Sequence, residues 1–197
     1  MRVTLFDYGA GNLHSLAKAI ATASAVEVRV QTDPVQALDT DVLILPGVGA
    51  FGAAAARLEP GREQMRKALE EGLPCLGICL GMQLLFESSD EGEGRGLGVF
   101  KGRVTRLKAK QVPHIGWNAV EQDAALRSAR LDTVYYAHSF VCRAEEPGVV
   151  VGWTTHEEDR FPASVRRGKV LGVQFHPEKS STSGVRFVQS FLQEVAR

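Results

Sequence analysis

One cysteine, Cys79, stands at the end of an apolar run, with Gly77 and Gly81 two positions away on either side. The run Leu73–Ile78 predicts a short buried strand, and Met82–Phe86 predicts the first turns of a helix. A nucleophile on a sharp strand-to-helix turn needs small residues at those two positions, because the backbone folds back on itself there. The free N–H groups and the dipole at the start of a helix would favour the thiolate of such a cysteine. The pattern predicts a nucleophile, although by itself it also fits a buried cysteine in a glycine turn.

A histidine and a carboxylate follow a second apolar strand much later in the chain. The run Val170–Phe175 predicts this strand, and His176 and Glu178 come after it with Pro177 between them. His176 can take the proton from Cys79, and Glu178 can hold the imidazole in the correct tautomer and stabilise its charged form. Pro177 fixes one backbone dihedral between the two, so their spacing should be stiff. His-Pro-Glu alone is also typical of a surface turn, but together with the cysteine turn it predicts a Cys-His-Glu triad.

The elements that would position these groups alternate between strand and helix. A fully apolar run, Val42–Leu45, predicts a strand buried on both faces, as in parallel sheets. The alternation predicts an α/β fold with an open, mostly parallel sheet, helices on both faces, and a site at the carboxyl ends of the strands. From about Val99 to Val170 the pattern is rich in strands, which predicts a mixed or antiparallel extension. The other predicted strands are Val3–Asp7 and Val26–Val30, and the other predicted helices are Leu13–Ala23, Ala53–Leu58, Arg62–Glu71 and Ser183–Val195.

The composition argues against several classes of partner. Basic and acidic residues balance at 23 each, so no net field would draw the chain to nucleic acid or to an anionic membrane. The densest basic run, Lys101–Lys110, alternates charged with small or apolar residues and is interpreted as a solvated strand face. No apolar run approaches the roughly 20 residues of a membrane-spanning helix. A chain of 197 residues is of a size for one domain, and we predict that residues 1–197 form a single domain.

The cysteines and histidines suggest a compartment and argue against a metal. Three cysteines, an odd number, favour reduced thiols and a cytoplasmic location. His14, His114 and His156 have no metal-ligand spacing, so we predict neither a metal nor a cofactor. His138 is interpreted as a buried supporting histidine rather than a catalytic one.

Two motifs resemble the signature of the class I, triad-type glutamine amidotransferases. They are Gly77–Gln83, which reads Gly-Ile-Cys-Leu-Gly-Met-Gln, and His176–Glu178, which reads His-Pro-Glu. Within that family the chain is similar to the glutaminase subunits of imidazole glycerol phosphate synthases. The segments that carry this narrower similarity are Tyr8–Asn12, Pro46–Phe51, Pro113–Asn118 and His138–Phe140. The resemblance implies hydrolysis of glutamine to glutamate and ammonia through Cys79, His176 and Glu178.

Such a reaction needs donors for a tetrahedral oxyanion, and removing one donor typically costs about 3 kcal/mol. The N–H of Leu80, next to the nucleophile, is the natural first donor. The Pro46–Gly49 loop after the third strand should supply the second. Val48 resists the positive φ that glycine accepts, because it is branched at Cβ. We therefore expect the Gly47–Val48 peptide to flip and present the Val48 N–H mainly when a partner and substrate are bound.

The resemblance also implies residues that bind the rest of the glutamine. Gln83 and Glu91 would hold its amino-acid end, although a charged loop residue such as Glu91 is more often only solvated. The full set implied for this pocket is Gly47, Gly49, Gln83, Glu91, Ser139 and Phe140.

A partner is expected because free ammonia would be protonated and lost in neutral water. The chain begins at its first strand and ends one helix after the triad motif, so we expect the ammonia-using synthase to be a separate chain. The resemblance implies a cyclase subunit of (β/α)₈-barrel type, in a heterodimer that makes imidazole glycerol phosphate and aminoimidazole carboxamide ribotide in histidine synthesis. An exposed Trp117 would be a typical interface anchor, although a core position fits the sequence equally well. The residues predicted for this interface are Asn12, Trp117, Asn118, Tyr135 and Lys179.

Three other interpretations stay open at this point. A glutaminase subunit of another class I amidotransferase would share the triad, but Val48 and Pro113–Asn118 argue against it. A cysteine peptidase or chaperone with the same cysteine turn would not need His176–Glu178. A non-catalytic binding subunit would not need an intact triad. Glutamate release from glutamine, with and without a barrel subunit, separates these cases.

Overall fold

The computed structural model describes residues 1–9, 13–23, 26–122 and 131–196. Its strands are β1 (Arg2–Phe6), β2 (Glu27–Gln31), β3 (Val42–Leu45), β4 (Cys75–Ile78), β5 (Ser88–Ser89), β6 (Gly102–Arg106), β7 (His114–Ala119), β8 (Glu121–Gln122), β9 (Thr133–His138), β10 (Phe140–Ala144), β11 (Val150–His156), β12 (Asp159–Arg167) and β13 (Val170–Val173). Its α-helices are α1 (Leu13–Ala23), α2 (Phe51–Leu58), α3 (Arg62–Glu70), α4 (Leu80–Leu84) and α5 (Ser181–Val195). Within these ranges no helix combines the length and the apolar character needed to cross a bilayer.

The main sheet has the strand order β2-β1-β3-β4-β13-β12-β11-β8. Its first five strands in this order are parallel, and β12, β11 and β8 continue it in antiparallel fashion. Two smaller sheets, β10-β6-β5 and β7-β9, come from the predicted strand-rich segment, except that β5 (Ser88–Ser89) precedes it. The predicted α/β fold with an antiparallel extension is confirmed. Because β13 pairs in parallel with β4, the carboxyl ends of these two strands are neighbours.

Helices cover both faces of the main sheet because its central strands are apolar on both. Along β3, Val42 and Ile44 belong to one apolar cluster, which includes residues of α1 and α5. Leu43 and Leu45 belong to the other cluster, which includes residues of α2 and α3. Side chains of a strand alternate between its two faces, so this four-residue strand contributes equally to both cores.

The strand-to-helix turn differs from the sequence prediction in the lengths of its two elements. β4 begins two residues later than predicted, and α4 begins and ends two residues earlier. The helix starts at once because Cys79 turns the chain with a φ of 47°. It ends early because the N–H groups of Leu85 and Phe86 bond carbonyls three residues back, the tighter pattern common at helix ends. With five residues, α4 is little more than one turn, so the helix dipole predicted to act on the thiolate is small.

Candidate active site

The turn at Cys79 is built by close approach of backbone segments. Cys79 has φ 47° and ψ −104°, outside the regions that non-glycine residues prefer. Its N–H donates to the Val173 carbonyl at 2.7 Å. A Cβ on Gly77 would lie 2.7 Å from the carbonyl oxygen of Gly81, and one on Gly81 would lie 2.0 Å from that of Leu45. The small residues expected beside the cysteine are therefore required by this turn.

His176 reaches the same edge of the sheet as Cys79 because it follows β13, the parallel neighbour of β4. The histidine is 2% exposed, and its Nδ1 lies 2.8 Å from Oε1 of Glu178. Residues Pro177–Lys179 form one 3₁₀ turn, which returns the carboxylate to the ring. With Nδ1 on the carboxylate, Nε2 is the ring nitrogen left for the sulfur.

The protonation state of His176 depends on both of its neighbours. Burial opposes a charge on the imidazole, but hydrogen bonds and charge interactions with Cys79 and Glu178 outweigh it and raise the pKa of His176. A protonated imidazole beside a sulfur stabilises the thiolate, which is the nucleophilic form of cysteine. The stability that this raised pKa contributes is complete below about pH 6.5, the ordinary value for histidine, and is lost as the pH rises through the folded-state value.

The backbone of His176 is also held in place. Its N–H donates to the Tyr135 carbonyl at 2.9 Å, and its carbonyl accepts the Ser180 hydroxyl at 2.7 Å. The same hydroxyl oxygen accepts the Tyr135 N–H at 2.9 Å. Strand β9, which carries Tyr135, therefore fixes the position of the candidate general base.

A cavity of about 440 Å³ is lined by Cys79 and His176. Most of the residues predicted for catalysis and substrate binding line it as well. The predicted residues that do so are Gly47, Val48, Gly49, Cys79, Leu80, Gln83, Glu91, Ser139, Phe140 and His176. Glu178 contacts Nδ1 of His176 without lining the cavity. The structure thus brings the predicted residues together, and the chemical role of each remains a prediction.

Of the two predicted oxyanion donors, Leu80 lies in a helix, whereas Val48 lies in a loop. Leu80 is the first residue of α4, so its N–H has no intrahelical acceptor. In the Gly47–Val48 peptide, neither the N–H nor the carbonyl makes a backbone hydrogen bond within the described part of the chain. This peptide can rotate without breaking such a bond, as the predicted flip requires.

The two polar residues predicted for the amino-acid end of glutamine also support the protein itself. Gln83 is 4% exposed, and its Nε2 donates to the Phe140 carbonyl at 3.0 Å. Oε2 of Glu91 accepts the Phe51 N–H at 2.9 Å, at the start of α2. Each side chain therefore keeps only part of its hydrogen-bonding capacity for a ligand.

Two residues at the site were not predicted from the sequence. Gln174 is fully buried, and its Nε2 lies 3.4 Å from Sγ of Cys79. Arg106, at the end of β6, lines the cavity, although the basic run that contains it was interpreted as a solvated strand face. Arg103 of the same strand pairs with Asp90, whereas Arg106 has no ion-pair partner among the described residues. The only sequence signal for Gln174 was its place in the motif before His176, and Arg106 had none.

Three histidine rings, those of His114, His138 and His156, pack together beside the cavity. Nε2 of His138 lies 3.2 Å from Nδ1 of His114, and Nδ1 of His138 lies 3.2 Å from the Phe140 carbonyl. The ring of His156 stacks on His114 at a centroid distance of 4.1 Å, and Nε2 of His114 lies 3.3 Å from the Asn118 amide. His138 therefore has partners for both ring nitrogens and supports the carbonyl that also holds Gln83.

We expect acid to destabilise the fold through His114 and His138. Burial, with repulsion from neighbouring histidines, lowers the pKa of His114 to about 4 and that of His138 to about 3. Below about pH 6.5 the unfolded chain takes up protons that the folded chain does not. The free energy of unfolding should then fall by up to about 1.4 kcal/mol per pH unit for each histidine.

Urea unfolding at pH 7, 6 and 5 measures this decline. The variant His138→Gln should show a shallower decline than the unmodified chain over the same interval. An equally steep decline in the variant would contradict the assignment to this histidine.

Three of the predicted interface side chains, those of Trp117, Tyr135 and Lys179, form a patch next to the cavity. Trp117 is 55% exposed, and its ring meets that of Tyr135 edge to face at a centroid distance of 6.2 Å. Nζ of Lys179 lies 5.9 Å from the centroid of the same tyrosine ring, and Lys179 also lines the cavity. Asn118 follows Trp117 on β7, but its side chain points to the other face of the strand, where its amide donates to the Thr155 carbonyl at 3.0 Å. Asn12 lies outside the described residues. Trp117 is thus a surface residue and not part of the core.

Among the described ranges, no group of three or more histidine, cysteine, aspartate or glutamate residues could hold a metal ion.

Known sequences match the whole length of the chain. The profile of the family described as "Glutamine amidotransferase class-I" matches residues 4–195. The HisH subunit of imidazole glycerol phosphate synthase from Pyrobaculum aerophilum is 43% identical over 197 residues, covering 100% of both chains. The HisH subunit from Aquifex aeolicus is 42% identical over 205 residues, covering 100% of this chain and 99% of the relative. That from a Synechococcus species is 40% identical over 207 residues, covering 100% of this chain and 95% of the relative.

Solved structures share the fold at lower sequence identity. The crystal structure of a glutamine amidotransferase superposes with a TM-score of 0.76 and 23% identity, covering 99% of both chains. The structure of PurLQS from Thermotoga maritima superposes with a TM-score of 0.70 and 21% identity, covering 98% of both chains. The likeness to these structures shows the fold alone. The family profile and the HisH relatives show that this chain belongs to the class-I glutamine amidotransferases and, within them, to the family of HisH subunits of imidazole glycerol phosphate synthase.

Proposed function

We propose that this chain hydrolyses glutamine to glutamate and ammonia through Cys79, His176 and Glu178, and passes the ammonia to a separate cyclase subunit. The observation that supports this most strongly is the arrangement in the cavity. A cysteine on a strained turn interacts with a buried histidine whose Nδ1 lies 2.8 Å from a carboxylate. This is the arrangement of nucleophile, base and orienting group that acyl transfer requires.

The first half-reaction forms a thioester and releases ammonia. The Cys79 thiolate attacks the side-chain amide carbon of glutamine, and the π electrons of the carbonyl move onto its oxygen. The N–H groups of Leu80 and Val48 stabilise this oxyanion. When the intermediate collapses, the C–N bond breaks, His176 gives its proton to the departing nitrogen, and ammonia leaves.

The second half-reaction releases glutamate. Water attacks the thioester while Nε2 of His176 accepts its proton, and the C–S bond then breaks to regenerate the thiolate. Glu178 accepts the hydrogen bond from Nδ1–H, which stabilises the imidazolium that forms in this step.

The charges around the cavity suit an amino-acid substrate. Glu91 and Arg106 both line it. Because Glu91 uses Oε2 for the Phe51 N–H, Oε1 remains for the ammonium group of a ligand. Arg106, which lacks an ion-pair partner among the described residues, can bind a carboxylate. Glutamine would present one charged group to each of them while its side chain reaches toward Cys79.

A partner subunit is supported by the relatives, which are named as subunits of imidazole glycerol phosphate synthase. We infer that the partner is a (β/α)₈-barrel cyclase, and that the complex makes imidazole glycerol phosphate and aminoimidazole carboxamide ribotide in histidine synthesis. The proposed contact surface is the patch of Trp117, Tyr135 and Lys179, with Asn118 beside it on β7. Tyr135 links this patch to the site, because its carbonyl accepts the His176 N–H.

We also propose a domain organisation and a cellular compartment for this chain. We infer that residues 1–197 form one amidotransferase domain, since the family profile runs from residue 4 to residue 195. All three cysteines are free thiols, which favours a reducing compartment such as the cytoplasm.

The proposal is tested by glutamate release from glutamine by the chain alone and by its mixture with the cyclase subunit and its nucleotide ligand. We propose that the Gly47–Val48 peptide turns to present the second oxyanion donor mainly when the partner is bound, so we expect the mixture to be faster by more than about tenfold. Equal rates with and without the partner would contradict the coupling. Cleavage of peptides without glutamine hydrolysis would favour a cysteine peptidase.

Matched variants test the contact surface in the same assay. Trp117→Ala should reduce the activation by the partner, because it removes an exposed aromatic anchor. The control is Val30→Ala, which truncates an apolar residue of β2 that is 52% exposed. This control should leave the activation unchanged, and an equal loss in both variants would argue against the patch.

A further inference from the structure

The side chain of Gln174 lies against the sulfur of Cys79 and is buried from solvent. It is 0% exposed and lies 3.4 Å from Sγ through Nε2. Its backbone is fixed, because its N–H donates to the Ala163 carbonyl at 2.9 Å. A buried amide must find partners for its polar atoms, so this contact is part of the hydrogen bonding that the core requires.

Neighbouring groups fix which end of this amide faces the sulfur. The Phe140 carbonyl can only accept, so the Gln83 end that lies 3.0 Å from it must be the NH₂ group. The same NH₂ group lies 3.4 Å from the Gln174 amide, which must present its oxygen there. The NH₂ group of Gln174 is therefore the end that faces Sγ.

We propose that Gln174 is a positioning residue for the nucleophile, whose amide donates a hydrogen bond that holds the Cys79 sulfur and favours its thiolate form. A neutral thiol is a weak acceptor, whereas a thiolate accepts a charge-assisted bond. The buried donor is thus better satisfied when the sulfur is ionised. This support matters because α4, with five residues, supplies little dipole.

Other groups around the sulfur also affect its ionisation and must stay constant in a test. His176 faces it from the end of β13, and Cys142 faces it from β10. Burial raises the pKa of the Cys142 thiol, so this group stays neutral in the range of interest. Charged or titratable groups that line the same cavity are Glu91, Arg106, His138 and Lys179. Substitution of Gln174 leaves all of them in place.

The test is the pH dependence of Cys79 alkylation by iodoacetamide in the full chain, followed by peptide mass spectrometry. Gln174→Met keeps the size of the side chain and removes the donor. We expect the midpoint of its alkylation profile to rise by about one pH unit, so that below the midpoint the reaction slows about tenfold. A folded Gln174→Met variant with the midpoint of the unmodified chain would overturn the proposal, since a purely structural role would leave the midpoint in place.

Ser164→Ala is the matched control. Ser164 is 0% exposed, lies opposite Val173 in the β12–β13 pair, and has a hydroxyl without a hydrogen-bond partner in the described part of the chain. Its removal also takes a polar atom out of the core, but that atom does not contact the sulfur. We expect the alkylation midpoint of this variant to match that of the unmodified chain.

A second measurement covers the case in which Gln174→Met does not fold. In the unmodified chain, the side-chain amide signal of Gln174 in NMR spectra should shift with pH in step with the alkylation profile. This shift should be absent in Cys79→Ala, and persistence there would overturn the proposal. The inference rests on Cys79 as the proposed nucleophile, but both readouts omit glutamine. If these measurements contradict the role of Gln174, the proposed glutaminase activity is still tested separately by glutamate release. If the chain fails to hydrolyse glutamine, the contact between Gln174 and Cys79 is still tested by alkylation and NMR.

Discussion

Replacing Cys79 with alanine is expected to abolish glutamine hydrolysis in the complete enzyme, with a loss of roughly 10⁴-fold or more. No thioester can form without the sulfur, and the neighbouring donors cannot supply a nucleophile. Initial rates of glutamate release measure the effect. Synthesis from added ammonium salt should survive, because the proposed partner would then receive ammonia without passage through this site.

Cys142→Ala is the matched control for this substitution. Cys142 is also a buried thiol, on β10, but it does not line the cavity. We expect the rate of glutamine hydrolysis by Cys142→Ala to stay within a few-fold of that of the unmodified chain. Retention of glutamine hydrolysis by Cys79→Ala, or a comparable loss in Cys142→Ala, would contradict the assignment of the nucleophile.

Replacing His176 with asparagine is expected to lower the rate of glutamine hydrolysis by roughly 10³-fold or more. The reaction loses both the proton donor for the leaving nitrogen and the charged partner of the thiolate. The second loss can be measured without substrate, since alkylation of Cys79 at neutral pH should slow in the same variant. The rate of glutamine hydrolysis by Glu178→Gln should lie between the rates of His176→Asn and the unmodified chain. This substitution weakens the orientation of the imidazole but keeps the imidazole itself.

His156→Gln is the control for the loss of an imidazole. His156 stacks on His114 at a centroid distance of 4.1 Å and does not line the cavity. Its substitution should leave both alkylation and hydrolysis close to normal. Full activity in His176→Asn would contradict the proposed proton transfer, whatever the behaviour of the control.

The sequence predicted the architecture well because the main elements carry local signals. The fully apolar β3 indicated a strand buried on both faces, and the glycines at 77 and 81 indicated a tight turn. The structure accounts for the second signal, since a Cβ at position 81 would come within 2.0 Å of the Leu45 carbonyl oxygen. Local patterns of this kind depend only on neighbours along the chain, so they can be recognised without knowing the strand order.

The remaining features depend on which strands lie side by side. The contact of Gln174 with Cys79 arises because β13 pairs with β4, and no spacing rule in the sequence specifies that pairing. Arg106 lines the cavity because β6 pairs with β10, which places it opposite Phe140. The early end of α4 was also missed, because Leu85 and Phe86 are apolar and continue the helical pattern. Their N–H groups nevertheless bond three residues back, and the chain turns toward β5.

The central claim is that glutamine is hydrolysed through a covalent bond to Cys79, and acid quenching of the working enzyme tests it most directly. The complete enzyme is mixed with glutamine, quenched within one turnover, digested and analysed by mass spectrometry. We predict a γ-glutamyl thioester on the peptide that contains Cys79, and its accumulation in Glu178→Gln, where water is activated less well. Glutamate formed at the normal rate with no acyl group on Cys79, or with the acyl group on another residue, would contradict this account.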